Sequence, residues 1–132
     1  MLSSARVGLA RALRHRPRGV LLQPVDHPDV KAATVQSLGA MLEQAIGEFG
    51  GRRSGAFTYA LVPRHRGHRG HPVAMSAGLA AAIARDRLAR DLSDAIRRHA
   101  RLVGYLDVAD RGITVNRNTP EPAGRKRGAR AR

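Results

Sequence analysis

The chain has 132 residues, a formal net charge of +14 and no cysteine. That length allows one domain with a modest core. The missing cysteines exclude disulfides, thiol chemistry and Cys-based zinc sites, and no apolar stretch approaches the roughly 18 residues of a membrane span.

Taken in order, residues 3–14 read as a short amphipathic helix capped by Ser3 or Ser4, with Val7, Ala10 and Leu13 as its buried stripe. A basic turn leads into Val20-Leu21-Leu22, an apolar run of strand length over residues 19–23. Pro24 ends that strand, Asp26 stands past its carboxyl end and Pro28 closes the turn. A helix follows at about residues 31–48, with Asp29 as cap and Val35, Leu38, Leu42, Ala45, Ile46 and Phe49 as its buried face; Gly50-Gly51 ends it. Residues 56–62 form a second strand, and a helix between two strands implies a right-handed unit with the strands paired in parallel.

Residues 63–72, PRHRGHRGHP, read as a loop. Val73 to Met75 are extended, Ser76 caps an Ala-rich helix to about Ala84, and Asp91 caps another that carries Leu92, Ala95, Ile96 and His99. Leu102 to Val108 make a third long strand and Gly112 to Val115 a short one. Residues 1–120 therefore form one domain, and 121–132 a basic disordered tail.

The residue types limit the chemistry. Asp26 at a strand's carboxyl end is where an open α/β sheet places a ligand, and a carboxylate there can hold Mg²⁺; a plain turn or cap residue is the commoner role for such an Asp. His65, His68 and His71 are spaced for a transition metal, but no carboxylate lies close and Arg64, Arg66 and Arg69 repel a cation. A loop facing an anion, through those arginines and the N–H groups of Gly67 and Gly70, suits the composition better, with a solvated basic loop as its rival. No G-x-S-x-G elbow, Walker A or G-x-G-x-x-G sequence is present. The charge points to an anionic partner. For nucleic acid the stacking aromatics are short: only Phe49, Phe57, Tyr59 and Tyr105, three of them on core-facing positions. With no hydrophobic leader in sight, a cytoplasmic location follows.

Four segments, in order, resemble one family. Met1-Leu2-Ser3-Ser4 through Gly8 is similar to its G-M-x-S-S-x-x-x-G helix start, and Pro24-Val25-Asp26-His27-Pro28 to its P-x-D-x-P metal motif. Gly67-His68-Arg69-Gly70-His71-Pro72-Val73 is similar to G-x-x-G-H-P-V, and Asn118-Thr119-Pro120-Glu121 to the closing D-T-P-E-D. The family is the MobA-like NTP transferases, which include molybdenum cofactor cytidylyl- and guanylyltransferases.

The resemblance implies a three-layer, Rossmann-like α/β fold of the nucleotide-diphospho-sugar transferase type. It also implies a Mg²⁺-dependent nucleotidyltransferase that moves NMP from CTP or GTP to a phosphorylated acceptor, such as a molybdopterin cofactor, and releases pyrophosphate. Asp26 would be the catalytic metal ligand, with Asn116 and Asn118 as further metal positions. Ser3 and Ser4 would lie on the nucleotide side, and Arg69, Gly70, His71 and Pro72 on the acceptor side.

Three departures accompany the likeness. The family's first strand and Gly-rich loop L-A-A-G-x-S-x-R-M-G, which grips the triphosphate, has no counterpart, so the fold is expected to lack it and the chain alone to be inactive. The closing D-x-D-T-P reads Asn116-Arg117-Asn118-Thr119-Pro120, which loses two charges, although related sugar nucleotidyltransferases do use an Asn at a metal position. The G-D-x-G-A-R segment survives only as Asp86 with Ala89-Arg90. Two other readings stay open: an inactive remnant or regulatory domain of the same fold, and a basic nucleic-acid-binding protein. An open sheet edge left by the absent strand would favour self-association.

Overall fold

The computed structural model describes residues 2–50 and 56–115. Helix α1 (Leu2–Leu13) leads to strand β1 (Gly19–Leu22), and helix α2 (Ala32–Ala45) runs on into one π-type turn at Ile46–Gly50. Strands β2 (Tyr59–His65), β3 (His68–Arg69) and β4 (Val73–Ser76) precede helices α3 (Ala77–Arg85) and α4 (Leu92–His99). Strand β5 (Leu102–Asp107) and a 3₁₀ turn at Arg111–Thr114 complete the described part.

The sheet runs β1-β4-β2, with β5 on the other side of β2. β4 is antiparallel to both neighbours, setting Leu22 against Val73 and Ala60 against Met75, while β5 runs parallel to β2 from Tyr59↔Leu102 to Arg64↔Asp107. Arg64 also pairs with Arg69, so the short β3 continues the β4 side of β2. β1, β2 and β5 therefore point the same way.

Side chains alternate across this sheet and make two cores. One face carries Ala60, Val62, Val73 and Met75 under α1, α3 and α4, packed with Leu2, Leu9, Leu79, Ile83 and Leu92. The other carries Tyr59, Leu61 and Ala74 under α2, packed with Leu38, Leu42 and Ile46. Helices on both faces of a mixed sheet give the three-layer α/β architecture.

Several sequence expectations need correction. The first and second long strands are not a parallel pair; they share a direction, but β4 lies between them. A βαβ connection can skip a position, and nothing local announces the strand that fills it. In α1 the buried stripe is Leu2, Ala5 and Leu9, whereas Val7 is 62% exposed. Both triplets have helical spacing. The one with two leucines and a small alanine packs on the Gly- and Ala-rich α3. Ser3 and Ser4 sit inside that helix, not at its cap.

In α2, Leu38, Leu42, Ala45 and Ile46 are buried as the spacing predicts, but Val35 lies at the edge of the stripe and Phe49 is 64% exposed. The π-type turn widens the helix after Ala45 and carries Phe49 off the apolar face. The N-cap position of α2 is Lys31, not Asp29. The buried carboxylate of Asp110 pins that start of the helix, accepting from Lys31 N–H at 2.8 Å and Thr34 Oγ1 at 2.7 Å. Residues 63–72 are not all loop, for β2 continues to His65 and turns into β3. Arg66 (φ 50°) and Gly67 (φ 82°) both adopt left-handed angles, the two-residue hairpin geometry that favours glycine. Pro63 sits where the partner of β2 changes from β4 to β3, so its missing N–H interrupts no ladder. The short strand expected at 112–115 is instead the 3₁₀ turn, whose first N–H groups Asp110 caps through Gly112 at 2.9 Å.

Candidate active site

Beyond the carboxyl ends of β1 and β2 two loops converge. In the first, Gln23 Nε2 donates to His27 O at 2.5 Å and His27 N–H donates to Pro24 O at 3.2 Å, which folds the P-V-D-H-P segment into a tight turn. Asp26 is held in that turn with 24% of its side chain exposed, and its Oδ1 lies 3.8 Å from His27 Nε2. In the second, Gly70 N–H donates to Pro63 O and His71 N–H to Ile113 O, both at 2.9 Å. A Cβ on Gly70 would run into the carbonyl oxygen of Ile113, so only glycine lets the loop lie this close to the 3₁₀ turn. The His71–Pro72 peptide is cis.

The loops touch through two imidazoles. The rings of His27 and His71 stand 4.7 Å apart, tilted by 52°, and the Nδ1 of each is buried without a hydrogen-bond partner among the described residues. Burial, and then the charge of His27, holds His71 below the usual imidazole pKa, while Asp26 works in the opposite direction. His71 is therefore an uncharged ring at neutral pH.

Beside His71 opens a cavity of about 510 Å³. Val62, Val73, Leu92 and Ile96 give it an apolar floor, Val103 and Tyr105 a wall, and Arg69, Gly70, His71, Asp91, Ser93 and Arg97 a polar margin. Arg69, Gly70 and His71 thus share one cavity, whereas Pro72 is fully buried beneath it. Ser3 and Ser4 are exposed in the first turn of α1. Asn116 and Asn118 lie outside the described residues, as does the 121–132 tail.

The histidine-and-arginine loop resolves differently from its sequence reading. His65 and His68 face each other across the hairpin, His65 Nδ1 lies 3.0 Å from Val108 O, and only His71 turns to the site. Among the described residues no group of three or more His, Asp or Glu side chains can hold a metal ion. Two of the loop's anion-facing groups are already engaged. The Gly70 N–H is engaged by Pro63, and Arg64 grips Asp107 through Nε at 2.7 Å and Nη2 at 3.2 Å while its guanidinium lies 4.7 Å from the Tyr105 ring centroid. Of the four aromatics, Tyr59 is buried, Phe57 half-buried, and Phe49 and Tyr105 exposed.

Asp86 proves to be a tie between helices. Its nearly buried carboxylate accepts from Leu88 N–H (2.7 Å), Ala89 N–H (3.1 Å), Arg98 Nε (3.0 Å) and His99 Nε2 (2.7 Å). Arg6 of α1 donates to its backbone oxygen at 3.1 Å. The Leu88 N–H, helped by His99, Ala89 and Arg98 against the cost of burial, holds its pKa well below the usual carboxylate range.

A MobA-like NTP transferase domain matches residues 1–102. The chain belongs to the MobA-like NTP transferase family. No curated protein matches it. The family is one of nucleotidyltransferases, and the matched span contains Ser3, Ser4, Asp26 and the Gly67–Val73 segment; the N-T-P-E residues at 118–121 lie beyond it. Among the described residues no helix is long and apolar enough to cross a membrane.

Proposed function

We propose that this family member serves the transfer of NMP from CTP or GTP to a phosphorylated acceptor of the molybdopterin type, with release of pyrophosphate, in the cytoplasm. The observation that carries this reading is the meeting of the Asp26 and His71 loops, through the His27–His71 ring contact, beside a cavity at the carboxyl end of the sheet. The acceptor occupies that cavity. Its planar, apolar part lies on Val62, Ile96 and Tyr105, and its phosphate meets Arg69 and Arg97. The nucleotide lies on the other side of Asp26, toward Ser3 and Ser4.

Transfer of this kind depends on positioning and charge neutralisation. The neutral His71 can donate one hydrogen bond without adding a charge that would compete with the arginines. The backbone bonds of Gly70 and His71 fix the acceptor side, and the turn from Pro24 to Pro28 fixes Asp26. The donor set suits Mg²⁺ held mainly by substrate phosphates, because Asp26 offers one partly exposed carboxylate and the neighbouring ligands are imidazoles, which suit softer ions. Bound there, with Asn116 and Asn118 as further oxygen donors, the ion would neutralise charge on the reacting phosphate.

Pyrophosphate release is the test, measured with CTP or GTP, Mg²⁺ and a phosphorylated pterin acceptor. Both the chain itself and the chain joined behind the family's first strand and Gly-rich loop are assayed. We expect activity in the joined protein and a loss of orders of magnitude on Asp26→Asn with the melting temperature kept, partly rescued by excess Mg²⁺ or Mn²⁺. Full turnover by Asp26→Asn at low Mg²⁺, or a variant that only melts earlier, returns Asp26 to a turn residue.

A further inference from the structure

The cavity beside His71 has an uneven lining. Its floor is Val62, Val73, Leu92 and Ile96, buried or half-buried, whereas Arg69, Asp91, Ser93 and Arg97 stand exposed at its margin. A ligand that fits must be apolar on its faces and polar at its edges. A sugar ring carries hydroxyls all round and would set some of them against valine and leucine, out of water and unpaired. A planar fused heterocycle has the matching distribution. The cavity's volume of about 510 Å³ lies within the roughly 300–1,000 Å³ of small-molecule sites.

Tyr105 adds an aromatic surface to the wall, and its ring is held in place. Strand β5 runs parallel to β2 with Tyr105 beside Val62 and Asp107 beside Arg64, so these side chains share the face of the sheet that carries the cavity. Arg64 grips Asp107 through Nε at 2.7 Å and Nη2 at 3.2 Å, and the same guanidinium lies over the Tyr105 ring, 4.7 Å from its centroid. Asp107 thus fixes Arg64, and Arg64 covers one face of the ring. Arg64 stands outside the cavity lining, to which Tyr105 belongs. Tyr105 therefore offers the cavity its uncovered face and edge, ordered before any ligand arrives.

We infer that Tyr105, held by the Arg64–Asp107 pair, is a stacking platform that selects a phosphate ester of a planar fused heterocycle over a sugar phosphate. The inference rests on the reading of this cavity as the acceptor site and adds its selectivity. With the heterocycle stacked on Tyr105, Asp91 and Ser93 offer partners to its edge, and Arg69 and Arg97 to its phosphate. Arg64 acts through Tyr105 and is a positioning residue. Without it the ring turns more freely, and ordering it costs part of the binding.

Binding to the full chain, without nucleotide or metal, tests this. The probes are a hydroxymethylpterin phosphate and glucose phosphate, both measured by calorimetry, with quenching of the pterin emission as the signature of stacking. The pterin phosphate should bind at least about tenfold more tightly than glucose phosphate. Tyr105→Leu keeps an apolar wall; it should lose that advantage and the quenching while leaving glucose phosphate affinity unchanged. Tyr105→Phe should keep both. Arg64→Met should weaken pterin phosphate binding about threefold and leave glucose phosphate alone. Equal affinity of the unaltered chain for the two probes overturns the inference, and that comparison needs no variant to fold. Tyr105→Leu that weakens both probes alike overturns it too, because the ring would then be structural. If Tyr105→Leu binds the pterin phosphate as the unaltered chain does, the platform is removed and the acceptor reading of the cavity stands. If neither probe binds, the acceptor reading itself falls, and the inference with it.

Discussion

Asp86 shows how one side chain can be read two ways. By sequence it is the remnant of a family segment; in the fold it is the acceptor that ties α3, α4 and α1 together. Four donors fill its oxygens, which leaves little of it for a ligand. A carboxylate whose folded pKa is depressed contributes stability that is fully present above its unfolded value, near 4, and is lost as pH falls through the folded value. The chain should therefore lose stability below about pH 4. Asp86→Asn should melt at lower temperature at neutral pH, because an amide cannot accept from all four donors, and should flatten the dependence between pH 4 and pH 2. Parallel melting curves for the two proteins across that range decide the matter. Identical slopes would assign the acid sensitivity to other carboxylates, with Asp94, Asp107 and Asp110 the next to test because their pKa values are also lowered.

At the scale of elements, local signals served well where the partner was local. Ser76 and Asp91 cap α3 and α4, as their positions before apolar periodic runs imply, with Asp91 accepting from Asp94 N–H at 2.8 Å. They failed where the partner was distant. The start of α2 is pinned by Asp110, which is 79 positions from Lys31 in the chain, and no spacing rule reaches that far. The same distance hid the meeting of His27 with His71, although each sits in a segment that motif likeness had singled out. Asp110→Ala should cost about 1–2 kcal/mol, since it unpins the start of α2 and leaves buried Thr34 without its acceptor. A melting shift of roughly 3–8 °C is the expected readout.

Gly70 makes the companion case. Its conformation is ordinary, and what singles it out is the approach of Ile113 O. Gly70→Ala must push the G-H-P loop off the 3₁₀ turn, at roughly 1–3 kcal/mol, and the displaced His71 should lose its contact with His27. An NMR spectrum in which the imidazole resonances of His27 and His71 are unchanged by Gly70→Ala would show that the loop is not held by this contact.

Across the whole molecule, part of the charge lies apart from the residues that build the two cores. Both core clusters draw on residues between Leu2 and Leu106. The last twelve residues carry Arg125, Lys126, Arg127, Arg130 and Arg132 against Glu121, a net +4 of the total +14. Folding free energy comes mainly from apolar burial, whereas nonspecific affinity for a polyanion comes from cations that displace its counterions. The two properties should therefore separate. Deleting residues 121–132 should leave the melting temperature unchanged within about 1 °C, because the segment carries no large apolar side chain. The same deletion should weaken binding to a nonspecific DNA duplex and reduce the slope of log affinity against log salt by up to about 4, the number of net charges lost times a factor near 0.9. Nucleotide binding at the Asp26 side should not follow that trend, since the residues assigned to it, Asp26, Ser3, Ser4, Asn116 and Asn118, all precede the deleted segment. If the deletion abolished nucleotide and DNA binding together, the tail would belong to the site, and the basic character of the chain would have to be read as part of its catalytic surface instead of as an independent attraction for polyanions.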